Sequence, residues 1–282
     1  MRTSQPPSGA ATVADLLDQS QRLFVLTGAG CSTASGIPTY RDEAGAWKRR
    51  PPITFAAFTG SAATRQRYWA RSLVGYRRMA EARPNAGHAA LSDLEAKGRV
   101  GLVVTQNVDG LHQRAGSAAV LDLHGRVDAV ICLGCKTTSQ RGDLQQRLLS
   151  ANPTWGALDA ATAPDGDADL ELDTQGFDVP ECLSCSGMLK PHLVFFGESV
   201  PRERVERAYA AVRASDAVLV VGTSLQVFSG WRFVRAAHKQ GLPIALVNLG
   251  RTRADDIATA SLVAPSHVAL PTLVQDLQHR ER

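Results

Sequence analysis

Four short apolar runs constrain the fold of this chain more than any other feature. They are Leu23-Phe24-Val25-Leu26, Val100-Gly101-Leu102-Val103-Val104-Thr105, Ala217-Val218-Leu219-Val220-Val221 and Pro243-Ile244-Ala245-Leu246-Val247. Each has the length and branching of a strand buried on both faces, the kind found in parallel sheets whose crossovers are helices. Helical patterns lie between them, at Val13 to Gln21, Ile53 to Arg83, a stretch capped by Asn85, Arg202 to Ala214 and Gly230 to Gln240. The alternation predicts an α/β fold with a doubly wound parallel sheet. Every run also stops in a glycine or polar cluster: Gly28-Ala29-Gly30, Gln106-Asn107-Val108-Asp109, Gly222-Thr223-Ser224 and Asn248-Leu249-Gly250. Open α/β sheets bind ligands at the carboxyl ends of their strands, so one shared crevice is expected.

The first cluster reads as a phosphate cradle. Without a Cβ at Gly28 and Gly30 the backbone is free to approach a diphosphate, and a helix opening near Ser32 supplies amide donors. The usual dinucleotide fingerprint has a third glycine where this chain has Thr33, and no ribose-binding acid follows at the usual distance. A hydride-transferring dehydrogenase is therefore disfavoured. Behind the cradle, Gly36-Ile37-Pro38 with Tyr40 and Arg41 has the make-up of a loop that folds over a bound phosphate and ribose.

Four of the five cysteines form two pairs, Cys132-x-x-Cys135 and Cys182-x-x-Cys185. This spacing predicts one tetrahedral thiolate zinc site, with Gly134 and Ser184 easing the two knuckle turns. Four thiolates close the coordination shell, so the metal is structural and does not activate water. The pairs flank a segment, Gln140 to Pro180, with little apolar pattern, which a zinc staple can anchor without a large core. Cys31 reads as a small buried hydrophobe, His88 as a packed or surface histidine, and His112 as structural. A net charge of +4 without interleaved basic and aromatic residues excludes a nucleic-acid footprint. No run is long enough to cross a membrane, and Met1 to Ala11 lacks the apolar core of a signal peptide, so a cytoplasmic location is expected.

These motifs occur in a fixed order with Leu123-His124-Gly125, Thr105 to His112, Lys190-Pro191-His192-Leu193-Val194-Phe195-Phe196-Gly197-Glu198 and Gly222-Thr223-Ser224-Leu225. In that order the chain resembles the sirtuins, from Leu23 to Pro271. Asn152-Pro153-Thr154-Trp155, Ala163-Pro164-Asp165-Gly166-Asp167 and Leu225 to Gly230 look like the class II branch, which includes the mitochondrial lipoamidase-type enzyme. The resemblance implies an NAD-dependent protein-lysine deacylase that consumes NAD and releases nicotinamide and 2'-O-acyl-ADP-ribose. It implies His124 as general base, with Asn107 and Asp109 beside it in catalysis. Gly28, Ala29, Gly30, Ser32, Ile37, Pro38, Tyr40, Arg41, Gln106, Asn107, Asp109, Gly222, Thr223, Ser224, Asn248, Leu249, Gly250 and Ser266 would meet NAD. Val194, Phe195, Phe196, Gly197 and Glu198 would form the edge on which an acyl-lysine protein lies.

The resemblance further implies a Rossmann-like NAD-binding domain over 10–45, 84–128 and 189–282, with residues 1–9 as a disordered arm. A helical module occupies 46–83 and a zinc-binding module 129–188. A monomer acting on acyl-lysine proteins, without nucleic acid or membrane, is expected. The residues around Trp69, Arg71 and Tyr76 do not reproduce the tyrosine and arginine pair of desuccinylating sirtuins, which argues against a preference for short acidic acyl groups. Two other uses of the same pocket are mono-ADP-ribosyl transfer to protein and NAD sensing without turnover.

Overall fold

Strand β1 (Leu23–Thr27) is buried at all five positions, as a strand covered on both faces must be. A computed structural model describes residues 10–40, 42, 46, 48, 52–160, 163–168 and 173–280. After β1 come β2 (Val100–Thr105), β3 (Val120–Asp122), β4 (Gly125–Cys132), β5 (Thr138–Gln140) and β6 (Leu189–Leu193). The last three strands are β7 (Ala217–Val221), β8 (Ile244–Val247) and β9 (Ala260–Leu262). A six-stranded sheet has the order β3-β2-β1-β7-β8-β9, and all its pairings are parallel. In a second, antiparallel sheet β4 lies between β5 and β6.

The helices are α1 (Ala10–Gln19), α2 (Phe55–Gly60), α3 (Ala62–Glu81), α4 (Ala86–Ala96), α5 (Leu111–Arg114), α6 (Arg141–Ala151), α7 (Arg202–Arg213), α8 (Phe228–Lys239) and α9 (Ser266–Arg280). Successive strand residues point to opposite faces, which divides the large sheet between two cores. Leu23, Val25, Leu219 and Val221 pack with α1, α4 and α9. Phe24, Leu26, Val218 and Val220 pack with α7 and α8 on the other face. Burial of each such side chain contributes about 1.5–3 kcal/mol, so the parallel sheet is held from both sides.

A third core lies between the small sheet and α3 and α6, around Phe58, Tyr68, Trp69, Leu144, Leu148, Phe177 and Phe195. The helical stretch Ile53 to Arg83 is broken at Ser61, whose side chain accepts a hydrogen bond from the Thr64 amide at 3.2 Å and caps α3. Helix α6 falls in the segment where the sequence shows little apolar pattern. Its buried face is Arg141, Leu144, Gln145 and Leu148, a helical spacing that two polar members conceal. Arg141 is buried because its guanidinium stacks over Tyr76 at 4.4 Å and donates to Ser72 Oγ at 3.2 Å. No helix among the described residues is long and apolar enough to cross a membrane.

Candidate active site

The order of the large sheet reverses between β1 and β7, and a cavity of about 720 Å³ opens where these strands end. Gly28, Ala29, Gly30, Tyr40, Gln106, Asn107, His124, Gly222, Thr223, Ser224, Asn248, Leu249, Gly250 and Ser266 line it. The four strand-end clusters therefore converge. The reason for the two glycines differs from the sequence expectation. A Cβ on Gly28 would lie 2.6 Å from Thr223 Cβ, and one on Gly30 would lie 2.8 Å from Gly222 Cα. Glycine is required because the β1 and β7 loops touch, with the Gly30 amide donating to Gly222 O at 2.8 Å. The chain after β1 also forms two 3-10 turns, Ala29–Cys31 and Thr33–Ser35, in place of an α-helix opening near Ser32.

Behind the cavity wall a polar network fixes the loop. Asn107 Nδ2 donates to Gly28 O at 3.1 Å and to Ser32 Oγ at 3.0 Å, and Ser32 Oγ donates to Asp109 Oδ2 at 2.7 Å. The Leu111 amide donates to the other Asp109 oxygen at 2.9 Å. Burial pushes the Asp109 carboxyl up and these bonds pull it down. Asn85 ties the same loop to α4, donating to Cys31 O and Ser35 Oγ at 2.9 Å each. Burial pushes the Cys31 thiol up to about 12, so this sulfur is packing and no nucleophile.

His124 stands at the boundary of the two sheets, immediately before β4. Its Nδ1 lies 2.9 Å from Gln106 O, an acceptor only, so Nδ1 carries the proton and Nε2 presents a lone pair. Burial pushes the imidazole down to about 4; Arg204 and Arg232 act in the same direction, and the bond to Gln106 opposes them. Along the same cavity runs the chain that leaves β6: Val194, Phe195, Phe196, Gly197 and Glu198 all line it. The Val194 amide donates to His124 O at 2.8 Å, which sets this edge against the imidazole-bearing residue.

Residues 28–229 match the Sir2 family. The chain is 56% identical over 290 residues to an NAD-dependent protein deacetylase of Xanthomonas axonopodis pv. citri, covering 99% of each chain. It is 60% identical over 259 residues to an NAD-dependent protein deacetylase of Bordetella bronchiseptica, covering 92% of this chain and 94% of the relative. This chain belongs to the Sir2 family. A solved Sir2 structure with a p53 peptide and NAD+ superposes with a TM-score of 0.76 at 30% identity, covering 95% of this chain and 96% of that one.

In this Sir2 chain the expected site residues divide by layer. Ser32, Ile37 and Asp109 are buried one layer behind the cavity lining, and Pro38 also lies off it. Arg41 lies outside the described residues, as does the 1–9 arm. Among the residues that the sequence reading did not assign to the site are Tyr68 and Ser229, which line the cavity, and Lys190, which is buried off its lining. Tyr68 looks like core by its helical position, and it does pack edge-on against Phe58 at 5.4 Å, yet it also lines the cavity. Lys190, 3% exposed, pairs with Glu198 Oε2 at 3.0 Å, and the same oxygen accepts from the Phe195 amide at 2.9 Å in the turn that follows β6. Ser229 meets His124 across the fold, a contact that no local pattern encodes.

The four paired cysteines of this Sir2 chain come together away from the cavity, with Sγ distances of 3.5 Å for Cys132 and Cys185 and 3.7 Å for Cys135 and Cys182. A zinc ion with bonds of about 2.3 Å in a tetrahedron sets sulfur–sulfur edges of about 3.8 Å, so the set fits zinc. Left-handed backbone falls on Lys136 (φ 64°) and Ser186 (φ 53°), after each pair, and not on Gly134 or Ser184. Gly187 is the tightest position at the metal site, since a Cβ there would lie 2.8 Å from Cys132 Sγ.

Two buried histidines make the Sir2 fold acid-sensitive. His88 Nδ1 accepts from the Asn85 amide at 3.2 Å in a capping box, and burial pushes the ring down to about 4. His112 lies 4.8 Å from it, ring to ring, and burial beside His88 takes it to about 3. Both rings are neutral in the fold and titrate near 6.5 when unfolded, so the unfolded chain binds more protons below that value. Their contribution is complete above about pH 6.5 and is lost as pH falls through 6.5 toward 4 and 3. Each should cost about 2 kcal/mol of stability between pH 7 and pH 5. Histidine proton resonances of the folded zinc-loaded protein check this, because a ring that titrates near 6.5 at either position contradicts it.

Proposed function

We propose that this chain is an NAD-dependent protein-lysine deacylase, with deacetylation as the core activity and longer or bulkier acyl groups within reach of the same cavity. The observation that carries the reading is the placement of a neutral imidazole, with its lone pair on Nε2, in one cavity with both the switch-point loops and the peptide-like edge Val194 to Glu198. The relatives named NAD-dependent protein deacetylase, and the Sir2 neighbour holding a peptide and NAD+, support it.

Bound NAD supplies a leaving group, nicotinamide, at C1 of its ribose, which lets the otherwise unreactive acyl oxygen act as a nucleophile. The β1 and β7 loops and the Asn248 to Gly250 turn would hold its phosphates and adenosine end. Asn107 and Asp109, fixed by Ser32, would hold the nicotinamide side. His124 Nε2 accepts a proton from a ribose hydroxyl, and the backbone bond at Nδ1 steadies the charge that results. The Val194 to Glu198 edge would pair with the substrate backbone. Phe195, packed on Phe58 and Tyr68 at 5.3 Å each, would wall the acyl chain, while Phe196 stays 38% exposed at the mouth. We place the helical module at 46–83 and the zinc module at 129–188, both serving this cavity from outside the parallel sheet.

Zinc-loaded protein, NAD and a panel of acyl-lysine peptides test the reading by mass spectrometry. Equal amounts of nicotinamide and deacylated peptide are expected. Nicotinamide with ADP-ribosylated protein would move the assignment to ADP-ribosyl transfer, and binding of NAD without either product would leave a sensor.

A further inference from the structure

The base of this cavity is already occupied by a hydroxyl of the protein. His124 Nε2 lies 2.7 Å from Ser229 Oγ. Since Nδ1 faces the Gln106 carbonyl, Nε2 has no proton to give, and Ser229 must be the donor. Ser229 sits in the first turn of α8, whose register is fixed against the same β2 loop: a Cβ on the next residue, Gly230, would lie 2.7 Å from Gln106 Oε1. Gln106 Nε2 in turn donates to Thr223 Oγ1 at 2.9 Å, so one side chain ties the β2 end to the β7 end beside α8. Both Ser229 and His124 line the cavity.

We propose that Ser229 is a positioning residue for the deacylation base: with the tautomer set by Gln106, its hydroxyl holds the His124 ring in the orientation that keeps the Nε2 lone pair at the cavity, until a ribose hydroxyl takes its place as donor. The exchange is balanced, one O–H···N bond for another, and the proton then moves from the ribose oxygen to Nε2. A serine hydroxyl also accepts, so after proton transfer Ser229 Oγ receives a bond from the Nε2–H of the imidazolium. The charged groups acting on the ring are Arg204 from α7 and Arg232 from α8, both of which disfavour the imidazolium. A hydroxyl serves both protonation states, so Ser229 is able to follow the change. The inference rests on the deacylase reading of the same cavity.

The test compares wild type, Ser229→Ala and Ser229→Thr as full-length zinc-loaded proteins. Nitrogen-15 NMR of the imidazoles reads the tautomer and titration of His124, and turnover of an acetyl-lysine peptide with NAD reads catalysis. In Ser229→Ala we expect the Gln106 carbonyl to keep the Nδ1–H tautomer, while the Nε2 resonance shifts as its hydrogen bond is lost and the ring titrates at a shifted pH. Peptide release should fall about tenfold in kcat, with KM for NAD within twofold and nicotinamide formation in the first turnover unchanged. Threonine, which keeps the hydroxyl, restores both. An unchanged Nε2 resonance and titration, or equal losses in the alanine and threonine variants, overturns the proposal. Should Ser229→Ala not fold, Ser229→Cys fills the position with a weak donor and is read the same way. Wild-type protein that releases no deacetylated peptide would sink the deacylase reading, while the NMR arm still decides whether Ser229 governs the ring.

Discussion

His124→Ala should reduce release of free lysine by a factor of about 10² to 10⁴, the range that a positioned general base contributes. The expectation follows from three features of the site. The Gln106 carbonyl leaves Nε2 as the basic nitrogen. Burial keeps the ring neutral down to about pH 4, so the base form is present throughout the neutral range. Among the described residues lining the cavity, His124 is the only histidine, so no neighbouring imidazole can take its place. The backbone of His124 accepts from the Val194 amide, a bond that the substitution leaves in place, so the peptide edge should persist. NAD binding should stay within a few-fold. Turnover of acyl-lysine peptide by His124→Ala and His124→Tyr, read by mass spectrometry alongside urea unfolding, checks it. A folded variant with wild-type turnover would remove His124 from the mechanism.

Removing zinc, or replacing Cys132 by serine, should unfold the small sheet and abolish turnover together. Structural zinc contributes an apparent free energy of roughly 10–16 kcal/mol in zinc-finger peptides at neutral pH, and that binding energy is folding energy. Here the consequence reaches the cavity through two continuous strands. β4 begins one residue after His124 and ends at Cys132, and β6 leads from the cysteine-bearing loop to the Val194 to Glu198 edge. β4 and β6 pair along this length, from Cys132 with Leu189 to Gly125 with Leu193. Loss of the knuckles frees both strands at one end, and β5, whose three residues are all exposed, has no core to hold it. Metal content, near-ultraviolet circular dichroism and turnover during titration with a chelator provide the measurement, with zinc restoring all three. Full activity in protein stripped of metal would mean that the four thiols are held by packing alone.

The parallel sheet and its ligand-binding edge were legible in the chain because both are local properties. An apolar run of four to six residues that stops at glycine or a polar cluster is a strand buried on both faces with its ligand-binding end marked. The cysteine pairs were legible for the same reason, since a knuckle is a four-residue object. Helix α6 was not, because Arg141 and Gln145 occupy buried positions that only Tyr76, Ser72 and Leu73 across the core make acceptable. The glycines at 28 and 30 were correctly singled out for a close approach, but the approaching group is the β7 loop, nearly two hundred residues along the chain.

The sequence by itself determined the strands of the large sheet that carry the glycine and polar clusters and the pairing of the four cysteines, and through resemblance it pointed to His124 as the base. Tertiary structure alone decided the state of that base and the shape of the wall around it. The tautomer of His124 depends on Gln106 and its Nε2 partner on Ser229, the turn of the Val194 to Glu198 segment on Glu198 and Phe195, and the aromatic packing beside the cavity on Phe58, Tyr68 and Phe195. Hydrogen-bond partners and dielectric surroundings are set by groups distant in sequence and close in space. Local pattern carries no record of them until the chain has folded.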